Sequence, residues 1–339
     1  MNNANRATKI IKKNINEKTE NRVSKDNVCV LIPTLNEKAT IGYIIRGLQA
    51  KGYHQILVVD GHSTDGTPKI AEKLGARVIT QEGKGKGEAL IEAFEKITTP
   101  YILMLDGDGT NPPEYADSMI EPLIQDRADH VIGNRLEQYE RGALTHLNLW
   151  GNYLMNILFK WAHGVYMDDI LSGYRAFTLD SIRLMNLTEK GFGIETEICA
   201  AVIHYGLRFE IVPTYYKKRQ GSPTKLHPIL DGYKIIRTIN KYSKINNPLC
   251  YFRNIGILIS IACFCLEFYV LSEWWITGTR PLIIGILTSL LLITGAFAIM
   301  MGSISKVIHN IQREQMQELR MIHKKLKEIE KKIEEIFKN

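Results

Sequence analysis

From Val28 to about Arg135 the chain alternates short apolar runs with stretches of helical spacing. The runs VCVLIPT, ILVVDG, ARVITQ, YILMLDGD and HVIGNR each end in small or polar residues and read as strands. Lys38 to Gly52, Thr67 to Leu74 and Gly87 to Ile97 read as the helices between them. Such alternation predicts an α/β fold around a twisted, mostly parallel sheet. Ligands on such a sheet collect at the carboxyl ends of the strands, near a topological switch point. The residues that close the runs are therefore the ones to read for chemistry. Beyond Arg135 the pattern turns more helical: Leu144 to His163 is amphipathic and rich in aromatics, and a further strand is expected around Arg208 to Tyr215. This half is expected to wall the pocket.

Two apolar segments follow, Ile255 to Leu271, interrupted by Glu267, and Pro281 to Met301, which carries no charge. Each approaches the roughly 20 residues needed to cross a bilayer as a helix. The connection between them, Ser272 to Arg280, is short and holds Trp274 and Trp275, as expected of a hairpin with an interfacial aromatic belt. Lys241, Lys244 and Arg253 precede the pair and Lys306 and Arg313 follow it, which by the positive-inside rule puts both flanks in the cytoplasm of a multi-pass membrane protein. An ionisable group at mid-membrane costs about 2.5 to 3.5 kcal/mol, so Glu267 is expected to face a neighbouring helix or the interface. After Ser305, Leu319, Ile322, Leu326, Ile329, Ile333 and Ile336 recur at steps of three and four among Lys and Glu. That stripe suits either a coiled coil, and hence a homo-oligomer, or a helix packed on its own α/β domain. The expected division is a basic flexible arm (1–27), an α/β domain (28–248), a helical hairpin (249–303) and a charged helix (304–339).

Composition narrows this picture. The 339 residues carry a formal charge of +7, which points to anionic partners: nucleic acid, phosphorylated substrates or an acidic membrane face. No basic recognition helix or aromatic platform supports nucleic acid, and the basic arm suits anionic headgroups of membrane lipids better. The five cysteines form no CxxC pair and have no histidines at zinc-finger spacing, which argues against a structural zinc or disulfide framework.

The strongest chemical signal is Leu105-Asp106-Gly107-Asp108-Gly109 at the end of an apolar run. Two carboxylates one glycine apart at a strand end can place oxygens on a hard cation that also touches a pyrophosphate, and that cation would neutralise charge on a leaving nucleotide diphosphate. The first run closes IPTLNE, with Glu37, and the second VVDGHSTDG, with Asp60 and Asp65. Acids on neighbouring strand ends repel unless a ligand or cation engages them. Asp60 is placed to accept from a ribose or base; Asp65 reads as a turn or helix cap. Lys84-Gly85-Lys86-Gly87 lacks P-loop spacing; its small residues and lysines would let backbone and ammonium groups approach a donor pyrophosphate, or form a basic turn.

The order IPTLNE, VVDGHSTDGT, GKGKGEAL, LDGDGTNPPE, GNR, DDILSGYRAF resembles family 2 glycosyltransferases of the GT-A fold, specifically the dolichol-phosphate sugar synthases, over about Val28 to Pro248. The continuation GFGIETEI, KKRQGSPTKLHPILDGYKI and NNPLCYF is similar to the archaeal branch that loads the first sugar for N-glycan assembly. The resemblance implies a nucleotide-sugar donor, a dolichyl or polyprenyl phosphate acceptor and Mg²⁺ or Mn²⁺. It implies that Pro33, Glu37 and Asp60 contact the nucleoside, that Asp106 and Asp108 lie at the metal and pyrophosphate, and that Arg135 and Arg175 face phosphates. Many relatives carry a metal-binding Gln where this chain has Thr110, which leaves the third ligand to water or the Thr110 hydroxyl. RQGSPTKL is one residue longer than the usual stretch, which bears on Arg219 and Lys225 as phosphate binders.

An acceptor phosphate monoester is largely ionised near neutral pH, its second pKa being about 6. It can attack without a strong base, and the need is for cations that hold two anions together. Arg135, Arg141, Arg175, Arg219 and Lys225 form that pool, with Lys86 at the donor. Direct displacement would invert the anomeric centre. Asp168 and Asp169 could position a sugar hydroxyl, assist as a base, or serve as structural acids. The resemblance favours UDP-N-acetylglucosamine or UDP-glucose as donor, with GDP-mannose as the alternative. A sugar-phosphate nucleotidyltransferase would need a Gly-rich amino-terminal strand-loop that is absent. A membrane scaffold built on the terminal helix would have no use for intact acids.

Overall fold

The computed structural model describes residues 25–221, 225, 228–278 and 282–338. The expected basic arm lies almost wholly outside the described residues, as do residues 222–224 and 226 of the RQGSPTKL stretch. Seven strands form the sheet: β1 (Val28–Thr34), β2 (Ile56–Asp60), β3 (Arg77–Thr80), β4 (Tyr101–Met104), β5 (His130–Tyr139), β6 (Arg175–Thr178) and β7 (Phe209–Tyr216). The helices α1 (Ile41–Ala50), α2 (Thr67–Lys73), α3 (Lys86–Lys96), α4 (Ala116–Ile124), α5 (His146–His163), α6 (Leu179–Leu184), α7 (Ile194–His204) and α8 (Pro228–Asn246) alternate with or follow them. Two long helices close the chain, α9 (Pro248–Thr277) and α10 (Leu282–Lys338).

The strand order is β3-β2-β1-β4-β6-β5-β7. The pairs β1–β2, β1–β4, β2–β3 and β5–β7 are parallel, and β6 runs antiparallel between β4 and β5. The continuous Val, Ile and Leu runs of β1 and β2 are those of strands covered on both faces. One face packs Leu31, Leu57, Met104 and Phe177 with Leu90, Phe94 and Ile198. The other packs Val30, Val58, Leu103 and Val131 with Ile44, Leu48, Met119 and Ile120. β1 and β4 are neighbours whose connections run toward opposite edges of the sheet, to β2 on one side and to β5 on the other, so their carboxyl ends open the cleft in which the acidic closures meet.

Helix α9 is started by Asn247, whose Oδ1 accepts from Cys250 N at 3.3 Å, with Pro248 at the first turn, and is stopped by Gly278 in the left-handed region (φ 69°). Pro248–Ile276 and Leu282–Ile308 have mean hydropathies of 2.2 and 2.5 and are long and apolar enough to cross a membrane. They pack through glycines: a Cβ on Gly256 would lie 2.9 Å from the Gly295 carbonyl oxygen, and one on Gly302 would lie 2.9 Å from Phe252 Cβ and 3.2 Å from Leu249 Cα. Small residues of this kind let helix backbones approach closely in lipid. Glu267 is exposed, so of the two settings expected for it, a neighbouring helix or the interface, burial against α10 is not the one found. The boundary expected at 303 falls inside α10, which runs unbroken to Lys338. Leu319, Ile322, Leu326, Ile329 and Ile333 are exposed, so they do not pack on the α/β domain; Ile336 lies among the side chains that are not described.

Candidate active site

The loop after β1 and the loop after β2 are knitted into one rim. Asn36 takes a left-handed backbone (φ 52°), which Asn tolerates; its amide donates to Ser63 Oγ at 2.7 Å and its Oδ1 accepts from Thr64 N at 2.8 Å. Lys38 N donates to Asp65 Oδ2 at 3.0 Å, while Asp65 Oδ1 accepts from the Thr67 amide and hydroxyl at 2.9 and 2.6 Å. Asp65 is thus the turn-and-cap residue of α2. Asp60 is buried at the end of β2, where its carboxylate accepts from Ser63 N at 2.8 Å and from Thr34 Oγ1 at 3.3 Å. Pro33 and Thr34 end β1 beside it.

The DGD turn follows β4. Leu105 N still donates to Leu31 O at 3.2 Å, after which the chain turns away under Thr40, whose hydroxyl donates to Gly107 O at 2.6 Å. Gly107 has no room for a side chain, since a Cβ would sit 2.7 Å from Thr34 Cγ2. Asp106 is fixed from the other side by the SGY loop, where a Cβ on Gly173 would lie 2.1 Å from Asp106 Oδ2. Lys86 Nζ bonds Asp106 Oδ1 at 2.5 Å and Glu195 Oε1 at 2.7 Å. Burial alone would lower the Lys86 pKa, but Asp106 and Glu195 together outweigh it and hold the ammonium above its ordinary value. Burial would likewise raise the Asp106 carboxyl; Lys86, helped by Arg135 and Arg219, holds it below the usual carboxylate range.

Asp108 is buried. Its Oδ1 accepts from the Thr110 amide at 3.1 Å and hydroxyl at 2.6 Å, and its Oδ2 pairs with Arg219 Nη1 at 3.0 Å. Arg219 Nη2 also meets Glu37 Oε1 at 2.5 Å, as does Lys225 Nζ at 2.6 Å. The rim therefore brings together Glu37, Asp60, Asp106 and Asp108 with Lys86, Arg219 and Lys225, seven of the residues read from the sequence.

Three expectations are corrected. Arg175 does not face the site: it is 0% exposed, and its guanidinium donates to Ser172 O at 2.8 Å and Ile170 O at 2.7 Å, beside His130 and Cys199 Sγ. Its strand β6 turns it into the core, where it braces the DDILSGY loop. Asp169 is not a free base: it is buried with both oxygens on Arg135, Oδ2 at 2.8 Å from Nε and Oδ1 at 3.4 Å from Nη2. Thr110 spends its amide and hydroxyl on Asp108 and so orients that acid instead of standing as a third ligand. Arg135 is set between Asp169, Asn152 Oδ1 at 3.2 Å and the ring of Tyr216 at 5.4 Å. Arg141 is exposed in the connection before α5 and is not drawn into the cluster.

The glycines of GKGKG also act differently from the expectation. A Cβ on Gly85 would lie 2.4 Å from Lys190 O, and one on Gly87 1.9 Å from Glu189 O. Gly87 N donates to Lys190 O at 3.0 Å. The close approach is to the chain's own 189–190 backbone, and it delivers Lys86 to Asp106.

Two residues were missed. Glu195, buried in the first turn of α7, is the second partner of Lys86; the motif GFGIETEI was noted, but nothing in it singles out this acid. Gln81 follows β3, its amide donating to Asp60 O at 3.0 Å, and its buried Oε1 has no protein partner among the described residues. Its place beside Asp60 could be read only from strand register.

The donor set suits a hard cation only in part. Asp106 and Asp108 supply carboxylate oxygens on one turn, the chemistry that Mg²⁺ or Mn²⁺ takes, yet the described residues hold no group of three or more His, Cys, Asp or Glu arranged for a metal. The remaining ligands would have to come from a bound diphosphate and water.

The sheet order and this rim define an α/β protein of the GT-A type. The chain belongs to glycosyl transferase family 2: residues 29–181 match it, and the chain is similar along most of its length to a relative of known class. That relative, glycosyltransferase AglJ of Haloferax volcanii, is 43% identical over 296 residues, 87% of this chain and 97% of its own. A dolichyl-phosphate hexose transferase of the same organism is 34% identical over 220 residues, 64% of this chain and 93% of its own. Among solved structures, glucosyl-3-phosphoglycerate synthase of Mycobacterium tuberculosis, in complex with Mn²⁺ and UDP-glucose, superposes with a TM-score of 0.53 at 22% identity, over 64% of this chain and 79% of that one; this is a likeness of fold. The chain is a glycosyltransferase.

Proposed function

We propose that the enzyme transfers a sugar from a nucleotide diphosphate donor, UDP-N-acetylglucosamine or UDP-glucose in first place, to dolichyl or another polyprenyl phosphate at the cytoplasmic face of a membrane, with inversion, in the assembly of N-glycans. The observation that carries this reading is the pairing of Asp106 and Asp108 with Lys86 and Arg219 at one rim, in a chain that continues into two apolar helices. Glu37 and Asp60 would contact the nucleoside. Asp106 and Asp108 would hold Mg²⁺ or Mn²⁺, which when bound supplies Lewis-acid charge to the leaving diphosphate. Lys86, Arg135, Arg219 and Lys225 offset the repulsion between donor and acceptor phosphates. The acceptor oxygen is already anionic near neutral pH, which agrees with Asp169 being committed to Arg135 rather than free to take a proton. The exposed stripe on α10 is the surface through which copies of the chain would associate.

The test is transfer by the full-length protein with dolichyl phosphate, Mg²⁺ or Mn²⁺ and a panel of labelled UDP- and GDP-sugars. A chloroform-soluble labelled product is expected from a UDP-sugar, absent with EDTA and reduced by about 10³-fold in Asp108→Asn, a loss of the size that follows removal of one charge-stabilising group. Product from GDP-mannose alone would make the enzyme a mannose-phosphate lipid synthase. No product from any donor in intact membranes would end the proposal, and full function of Asp108→Ala in cells would support the scaffold.

A further inference from the structure

Helix α5 is apolar on two opposite faces. Phe159, Ala162 and the partly buried Met155 and Leu158 pack into the core. On the other side Leu147, Trp150, Tyr153, Ile157 and Trp161 recur at steps of three and four along one stripe, and all five are exposed: Leu147 is 68%, Trp150 65% and Trp161 53% exposed. A helix apolar all round belongs in a core or in lipid. Its 18 residues include Asn148, Asn152, Asn156 and Lys160, too polar for a span, so its place would be along a surface and not across it.

We propose that α5 docks on the bilayer, lying in the plane of the headgroup layer with this stripe in contact with lipid. Its neighbours argue for lipid. The Trp161 carbonyl accepts from Cys250 Sγ at 3.2 Å, and Cys250 is in the first turn of the span Pro248–Ile276. The exposed stripe therefore ends where a membrane-crossing helix begins. Trp and Tyr are the residues that settle at the membrane–water boundary. Lys160 and Lys244 are exposed beside this junction, over the rings of Tyr166 and Tyr251, and Arg253 lies one turn into α9; such cations suit anionic headgroups.

The inner face of α5 reaches the active site. Asn152 Oδ1 accepts from Arg135 Nη2, and Asn156 holds the 168–170 loop by accepting from Ile170 N at 3.1 Å and donating to Asp168 O. One helix thickness, about 10 Å, thus separates lipid from the residues that face the phosphates. The inference stands on the stripe and the adjoining span, whichever donor the enzyme uses.

The chain has four tryptophans, so full-length Trp274→Phe/Trp275→Phe protein reports on Trp150 and Trp161 alone. In vesicles of phosphatidylglycerol and phosphatidylcholine brominated near the glycerol end of the acyl chain, emission should fall roughly twofold, and less with bromines near the methyl end, as for a helix lodged about 5–10 Å deep. Adding Ile157→Glu should weaken the quenching. Equal emission in brominated and plain vesicles overturns the proposal, whether the stripe is in water or against a second copy; sedimentation in detergent separates those two outcomes.

Discussion

Gly173 shows how much a single hydrogen atom can control in this site. With a Cβ placed 2.1 Å from Asp106 Oδ2, Gly173→Ala must displace the carboxylate that Lys86 holds. A misplacement of about 1 Å costs on the order of 10²-fold in rate, so kcat/KM for sugar transfer should drop by about that factor while circular dichroism is unchanged. A second residue-scale consequence concerns acid. His163 is buried, and burial, only partly offset by a backbone hydrogen bond, lowers its pKa to about 4; His130 is lowered well below its usual value by burial and then by Arg175. An unfolded histidine titrates near 6.5, so between about pH 6.5 and 4 the unfolded chain binds the extra proton. Stability is complete above that window and falls as pH drops through it, by about 1.4 kcal/mol per pH unit for each group. Thermal unfolding in detergent should show the slope, and His163→Gln should flatten it. Residue identity alone exposed the acids and three of the cations, but not which of them pair. Arg175 misled because its role depends on the register of a four-residue antiparallel strand, Ala176 opposite Val131 and Arg175 opposite Ile132, which no local pattern encodes.

Among the elements, the hairpin of α9 and α10 makes the sharpest prediction. Gly302→Leu would drive a side chain into Leu249 backbone and Phe252. Overpacking of this kind costs about 1 to 3 kcal/mol, and the variant should unfold at lower temperature in detergent while Gly285→Leu, at a position with open space, should not. The hairpin, strands β1 to β5 and β7, and helices α1 to α3 and α5 were legible because each strand is an apolar run closed by small or polar residues and each helix keeps helical spacing. Others were not, for separate physical reasons. Helix α4 carries Pro122 in its middle. Helix α7 is buried at every residue from Ile194 to Val202 and so shows no polar face. Strand β6 is four residues long and antiparallel, against the parallel pattern that the preceding strands set. The site followed the same division: acids at strand ends were readable, whereas Glu195 and Gln81 are brought in by elements whose packing the sequence does not announce.

For the whole molecule, the proposed hairpin of two spans would return the chain to the side from which it left. Lys241, Lys244 and Arg253 before them and Lys306 after them would make that side the cytoplasm. A protease site inserted after Lys338 and one before Val28 should both be cut in inverted membrane vesicles and both be protected in intact cells; cutting at only one would show that a single helix crosses and overturn the two-span hairpin. Helix α10 continues from the span Leu282–Ile308 to Lys338 without a break. The 30 residues past Ile308 extend about 45 Å, a rigid post continuous with the candidate span. With no joint at its foot, any sideways pull on the tip acts as a lever on the crossing of Gly256, Gly295 and Gly302, so force applied far out in water is felt where the two spans touch.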